Sequence, residues 1–259
     1  MNYGLYLSAS GMLTNMYRLD VFSNNLANAQ TTGFKEVIPE IMQRDPERIE
    51  DGLGPDVANH LLEKLGGGVL AAPQRIGFGS GQPIETGRSL DVMLTQEDEF
   101  FVVENIDAET GEAGFLLTRD GNFTINSRGE LVNSAGRRVL DANDRPIFLT
   151  ESPDIQITDS GLVIQDQEEI ADIQVTRVED RSAITMHGGN LMRLSDPELR
   201  TGVADPLIKS GYLESSGVNM FKALMSVTRA TGSANSNSRM IRYHDLLMDR
   251  AVNTFGRIA

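Results

Sequence analysis

Residues 115–149 read FLLTRDGNFTINSRGELVNSAGRRVLDANDRPIFL, and the fold turns on their punctuation. Asp120-Gly121, Arg128-Gly129, Ala135-Gly136 and Asn143-Asp144 fall at close, nearly even intervals. Between them Phe123 and Ile125, Leu131, Val139, and Ile147 with Leu149 supply alternating apolar faces. Short alternating runs between turn residues predict a β-meander, with Asp120-Gly121 as a hairpin signal. Ser160-Gly161 and Gly188-Gly189 continue the style, bracketing strands at Leu162 to Ile164 and Ile173 to Val178. An antiparallel, partly open barrel or sandwich is expected.

The period changes on both sides of this region. Towards the N-terminus, Leu5, Ala9, Met12, Met16, Leu19, Ser23 and Leu26 alternate steps of four and three, a heptad seam with one polar position. Gly33, after the Asn- and Gln-rich end of that run, is the expected helix stop, because glycine tolerates the left-handed conformation that closes helices. Towards the C-terminus, Met220, Leu224, Val227, Thr231, Ala234, Ser238, Ile241, Asp245, Met248, Val252 and Phe255 keep the same spacing. Ser215 or Ser216 can cap its start. Both seams are imperfect, and Gly232 costs about 1 kcal/mol of helix relative to Ala, so these helices need a partner. That partner is the other terminal helix, a neighbouring copy, or the β-domain itself; spacing does not choose.

The expected class is therefore α+β, with discontinuous N- and C-terminal, coiled-coil-like helices bracketing an antiparallel β-rich domain. The expected parts are an N-terminal helix and motif (1–36), an extended Gly/Pro-rich connector with a short helix at Asp56 to Leu65 (37–83), a β-rich domain (84–209) and a C-terminal helix (210–259). The connector reading rests on Pro39, Pro46, Pro55, Pro73, Pro83 and Gly66-Gly67-Gly68.

Composition narrows function by exclusion. With 40% apolar and 23% charged residues among 259, the chain has ordinary globular usage. Its 23 Lys+Arg against 37 Asp+Glu leave a formal charge of −14, which opposes nucleic-acid binding and an anionic membrane surface. The chain has no cysteine, hence no disulfide and no thiolate chemistry. Met1 to Asp20 lacks the basic start and apolar run of a cleaved signal peptide, and no stretch is long enough to span a membrane as a helix.

Ser23-Asn24-Asn25-Leu26-Ala27-Asn28-Ala29-Gln30-Thr31-Thr32-Gly33-Phe34-Lys35 resembles the N-terminal signature of the flagellar rod and hook family. Two further blocks resemble it in the same order. One runs from Thr86-Gly87-Arg88-Ser89-Leu90-Asp91-Val92 through Phe100-Phe101-Val102-Val103 and Thr118-Arg119-Asp120-Gly121-Asn122-Phe123 to Val139-Leu140-Asp141. The other is Ser210-Gly211-Tyr212-Leu213-Glu214-Ser215-Ser216-Gly217-Val218-Asn219. The departures are Gln96-Glu97-Asp98-Glu99 where the family has a Gly-containing turn, Ser216-Gly217-Val218-Asn219 for Ser-Asn-Val-Asn, and Thr228-Arg229-Ala230-Thr231 in the last helix.

The resemblance implies a structural subunit of the basal-body rod, its terminal helices polymerising into a tubular drive shaft that transmits torque from motor to hook. It implies copies of itself and other rod and hook subunits as partners, and passage through the flagellar type III export apparatus without a cleaved signal. It does not choose between proximal and distal rod, and a longer hook-type subunit is the nearest alternative. The residues expected to carry assembly are Asn24, Asn25, Leu26, Ala27, Asn28, Thr32, Gly33, Phe34 and Lys35, with Met220, Leu224, Val227, Ala234, Ile241 and Met248. Asn24, Asn25 and Asn28 offer amides that bridge helices or cap backbone.

No cofactor or metal is expected. His60, His187 and His244 lack ligand spacing, and Gly77, Gly79 and Gly81 lack the Lys-Ser/Thr of a phosphate loop. Asp91, Asp120 and Asp141 are the candidates for a hydrolase carboxylate site, although Asp is common at turns for backbone reasons. A helical adaptor that never polymerises is a third reading.

Overall fold

The computed structural model describes residues 3–45, 66–106, 113–150 and 155–255. The expected helix at Asp56 to Leu65 and His60 lie outside them. The class is as expected: two terminal helices and an antiparallel β-rich region. The chain divides into two units, one of residues 1–26, 37–75 and 220–259, the other of residues 27–36 and 76–219.

The first unit is built on α1 (Tyr3–Ala27) and α2 (Met220–Phe255), with β1 (Glu36–Gln43) and β2 (Val69–Gly77) pairing as a two-stranded sheet. At 36 residues, α2 is about 54 Å long by the rise of 1.5 Å per residue. The helices pair with each other. A methyl group on Gly4 would stand 2.8 Å from the His244 imidazole, and one on Gly11 would stand 2.8 Å from Asn237 Nδ2. Seven residues up α1 thus match seven residues down α2, which makes the pair antiparallel with a heptad register.

Side-chain size explains which positions meet. On α2 the shielded positions include Ala223, Val227, Ala230, Ala234, Asn237, Ile241 and His244, again in steps of four and three, with Ser226, Ser233 and Ser238 beside them. Val227, Ala234, Ser238 and Ile241 belong to the seam expected from sequence, but Ala223 and Ala230 are buried in place of the expected Leu224 and Thr231. Small residues win because they let two helix backbones approach. On α1 the deepest side chains are Thr14, Val21 and Asn25, whereas Met16 and Ser23 of the expected seam are exposed. This face of α1 bonds the two-stranded sheet: Thr14 Oγ1 donates to the Val69 carbonyl (3.4 Å) and the Tyr17 hydroxyl to the Ala72 carbonyl (3.1 Å).

The second unit contains β3 (Pro83–Glu85), β4 (Val92–Leu94), β5 (Glu99–Ile106), β6 (Ala113–Thr118), β7 (Thr124–Ile125), β8 (Leu131–Val132), β9 (Ile155–Ile157), β10 (Leu162–Gln165) and β11 (Glu168–Asp172). It continues with β12 (Val175–Val178), β13 (Ile184–Gly188), β14 (Leu191–Leu194), β15 (Arg200–Gly202), β16 (Ile208–Ser210) and β17 (Tyr212–Glu214). A six-stranded antiparallel sheet in the order β13-β14-β6-β5-β12-β15 forms its centre. Its middle strand carries Phe100-Phe101-Val102-Val103, and alternation sends Phe100 and Val102 to one apolar cluster and Phe101 and Val103 to the other. A strand buried on both faces reads as a continuous apolar run for this reason. The pair β16-β4, the pair β17-β3 and the three-stranded sheet β11-β10-β9 lie outside the six.

The meander owes its turns to one repeated device. Asn126 Oδ1 accepts from the amides of Arg128 (2.9 Å) and Glu130 (3.0 Å), Asn133 Oδ1 from those of Ala135 (3.1 Å) and Arg137 (2.9 Å), and Asp141 Oδ1 from those of Asn143 and Arg145 (both 2.8 Å). In each, the residue three positions on has positive φ: Gly129, Gly136 and Asp144. The side chain mimics a backbone turn, which is why Asn and Asp recur there.

Two local expectations are corrected. Asp120-Gly121 makes no hairpin, since β6 ends at Thr118 and the next residues run extended, with the Val92 amide donating to the Gly121 carbonyl (3.1 Å). Gly33 does not stop α1, which ends at Ala27. Its φ of +65° serves a close approach instead, because a Cβ there would lie 2.4 Å from the Arg119 carbonyl carbon.

Candidate assembly site

The N-terminal motif performs two separate tasks. Asn25 is buried and uses its amide as a surrogate peptide group: Nδ2 donates to the Val37 carbonyl (2.7 Å), and Oδ1 accepts from the Val37 amide (2.9 Å). The end of α1 thereby extends the hydrogen bonding of β1. Asn28 Oδ1 accepts from Thr31 Oγ1 (3.1 Å) in the turn that follows.

Residues 27–36 belong to the second unit, and there Gly33, Phe34 and Lys35 are buried. Thr32 Oγ1 donates to Asp120 Oδ1 (2.6 Å), and Ser134 Oγ donates to the other oxygen of the same carboxylate. Lys35 Nζ donates to Glu214 Oε1 (2.7 Å) and to the Gly79 carbonyl (3.1 Å). Glu214 Oε1 also accepts from the Gly81 amide (2.8 Å), and Oε2 accepts from Arg119 Nε (2.8 Å). The Arg119 guanidinium donates further to the carbonyls of Gln96 (2.5 Å), Glu99 (2.6 Å) and Leu94 (3.2 Å). The side chains of Lys35, Glu214 and Arg119 are at most 1% exposed.

Each of the three sequence blocks thus contributes one charge to one buried centre. Lys35 lies 179 residues from Glu214, and Arg119 lies 95 from it. Burial by itself would raise the Glu214 carboxyl, but the Arg119 and Lys35 charges and the Lys35 and Gly81 hydrogen bonds outweigh it and hold the group below its usual range. The Lys35 ammonium is lowered, first by burial and further by Arg119, and the Glu214 charge recovers only part of this. The carboxylate therefore stabilises the centre more than the lysine does. Arginine suits the third position because its planar fork serves one carboxylate oxygen and three carbonyls without losing its charge.

The expected assembly residues separate by location. Asn25, Gly33, Phe34 and Lys35 are interior, while Leu26, Asn28, Thr32, Val227, Ala234 and Ile241 are half-buried. Asn24, Ala27, Met220, Leu224 and Met248 are exposed. Sequence spacing missed Arg119 and Glu214, and their only signal was membership of the matching blocks. It also missed the outer face of α2, where Phe221 (79% exposed), Met225, Met240, Tyr243 and Leu247 stand in solvent. Leu13 of α1 is 69% exposed and borders an open groove of about 220 Å³ with Tyr6, Ser10, Val69 and Leu70. Apolar patches of this kind mark interaction surfaces.

The acidic departure at residues 96–99 is neutralised locally. Arg177 Nε lies 3.0 Å from Asp98 and Nη2 lies 2.8 Å from Glu99, with Arg181 near Glu97 (3.9 Å). Two of the three candidate catalytic carboxylates are occupied by hydrogen bonds, Asp120 by Thr32 and Ser134 and Asp141 by its turn amides. Asp91 is buried with Arg88 at 3.6 Å, and its Oδ1 accepts no hydrogen bond from the described residues. Among the described residues no group of three or more His, Asp or Glu side chains is placed to hold a metal, and no helix is long and apolar enough to cross a membrane.

Known families match where this geometry lies. Residues 5–35, covering α1 and the motif as far as Lys35, match the family described as flagella basal body rod protein. Residues 96–178, from the Gln96 carbonyl through β12, match the flagellar hook protein FlgE/F/G D1 domain. Both segments of the chain are similar to flagellar rod and hook proteins. Relatives span it nearly end to end. Flagellar basal-body rod protein FlgF of Caulobacter vibrioides is 29% identical over all of both chains. FlgG of Agrobacterium fabrum is 28% identical over 93% of this chain and 95% of its own, and FlgG of Bacillus subtilis is 28% identical over 96% and 97%. The motif residues that look like assembly contacts on paper are divided between an interior ionic centre and exposed helix positions.

Proposed function

We propose that the chain is a structural subunit of the bacterial flagellar basal-body rod, polymerising through its terminal helices into a tubular shaft that transmits torque from motor to hook. The observation that carries this reading is the two-sided α2, with a small-residue face towards α1 and large apolar side chains such as Phe221, Met225 and Leu247 exposed on the other. A monomer gains nothing from that second face, whereas neighbouring subunits bury it. Near full-length likeness to rod proteins favours a rod over a longer hook subunit.

In this reading residues 1–36 and 210–259 are the assembly parts, 37–83 the connector and 84–209 the outer β-domain. Met220, Leu224, Met248, Asn24 and Ala27 meet neighbours. Asn25, Gly33, Phe34 and Lys35 hold the subunit in the shape that presents them, and Leu26, Asn28, Thr32, Val227, Ala234 and Ile241 line the boundary. The partners are copies of this chain and other rod and hook subunits, reached through the flagellar export apparatus without a cleaved signal or membrane insertion. The role is mechanical, needs no cofactor and involves no catalysis. Relatives named FlgF and FlgG lie at 29% and 28% identity, so the level in the rod is left open. A strain producing the chain without residues 215–259 is expected to be non-motile and to lack complete basal bodies by electron microscopy. Motility with intact basal bodies would end this reading.

A further inference from the structure

The Lys35–Glu214–Arg119 centre sits in a part of the second unit held by polar bonds. Neither apolar cluster of that unit includes Phe34, Leu213 or Val218, the buried apolar residues of segments 27–36 and 211–219. Apart from the ionic centre, these segments are fastened to each other and to β3 by the Gly33 amide on the Glu214 carbonyl (2.9 Å), the Gly217 amide on the Phe34 carbonyl (2.9 Å), the Ser215 amide on the Gln82 carbonyl (2.9 Å) and the pairing of β17 with β3. Hydrogen bonds to the rest of the unit include Thr32–Asp120, the Gly211 amide on the Asp91 carbonyl (2.8 Å) and Asn190 Nδ2 on the Thr32 carbonyl (3.3 Å). The β17-β3 pair is separate from the six-stranded sheet. Proteins open in contiguous units, and a region whose buried apolar residues stand outside the main clusters and whose strands are not part of the central sheet is suited to open as one of them.

We propose that this centre is a lock: it fastens residues 27–36, 211–217 and β3 as one layer that opens as a unit while the six-stranded sheet stays folded. Glu214 is the keystone, because three donors from three chain segments converge on its carboxylate. Without its charge, Lys35 and Arg119 are left as two buried cations with only carbonyls and the more distant Glu97 to offset them. The inference concerns the single subunit and stands whether or not the chain polymerises.

Native-state hydrogen exchange on the full chain tests it, reading the amides of Gly33, Gly81, Ser215 and Gly217 against those of Val102, Val139 and Val178. Glu214→Gln is expected to speed the first group on the order of a hundredfold, and to speed by a similar factor those amides of the second group that exchange only through global unfolding, because global unfolding includes opening of the layer. Lys35→Met is expected to act on the same amides by about tenfold, since Arg119 still pairs with Glu214. In the wild type, the first group is expected to share one opening free energy, below that of the second, in low denaturant. No acceleration of the first group in Glu214→Gln, or a single opening free energy for both groups in the wild type, would each overturn the lock.

Discussion

At the residue scale, the chain shows how a motif becomes a physical requirement. Glu214 ionises more readily folded than unfolded, so its stabilisation is fully present above the unfolded carboxyl value near 4.5 and is lost as pH falls through its lowered folded value. Lys35 has the opposite sense: its ammonium is lowered in the fold, so it costs stability below that value and the cost is relieved as pH rises towards 10.5. Thermal melts followed by circular dichroism are therefore expected to show Glu214→Gln destabilised by about 3–5 kcal/mol at pH 7, the gap to wild type closing as pH falls below the unfolded carboxyl value. Lys35→Met should cost clearly less at neutral pH; a larger loss than for Glu214→Gln would contradict the asymmetry. Asn25→Ala removes both bonds to Val37 and leaves a buried amide and carbonyl unpaired, which is expected to cost about 2–4 kcal/mol in the same melts.

At the scale of elements, the pairing of α1 with α2 has a defined register that introduced cysteines can read, because the chain has none of its own. Gly11→Cys with Asn237→Cys is expected to form an intramolecular disulfide under mild oxidation. Gly11→Cys with His244→Cys is displaced by one heptad, about 10 Å along the axis, and is expected to stay reduced. Equal yields, measured as a mobility shift on non-reducing gels, would refute the antiparallel register. The same scale explains why Asp120-Gly121 misleads. An Asp-Gly pair makes a two-residue hairpin by taking positive φ at both positions, and neither Asp120 nor Gly121 does; the Asp120 carboxylate instead ties the Asn122 amide to Thr32 and Ser134, distant in sequence.

At the scale of the whole molecule, each unit has its own source of cohesion. The β unit has apolar clusters on both faces of a sheet, whereas the helical unit joins small residues inside and leaves large ones outside. Replacing Phe221, Tyr243 and Leu247 by Asp is expected to leave the monomer's helical signal and melting temperature near wild type while abolishing incorporation into basal bodies. Incorporation at wild-type levels would show that the outer face of α2 is not used. The charge of −14 adds a further expectation. Moderate salt should favour association of the isolated chain by screening like charges, measured by sedimentation.

The sequence by itself determined the class of fold, because period and punctuation are local properties. The Asn- and Gly-marked turns of residues 115–149, the continuous run Phe100 to Val103 and the heptads at both ends each follow from neighbours a few residues apart. The order of its matching blocks was enough to indicate the family. Only the tertiary structure decided which face of each helix turns inward, because hydrophobicity ranks Leu224 and Met220 above Ala223 and Ala230 while close helix packing ranks them the other way. It alone revealed that Lys35, Arg119 and Glu214 meet, since separations of 95 and 179 residues leave no period to read. An isolated Lys, Arg or Glu looks like a solvated surface charge until the fold removes the water from around all three.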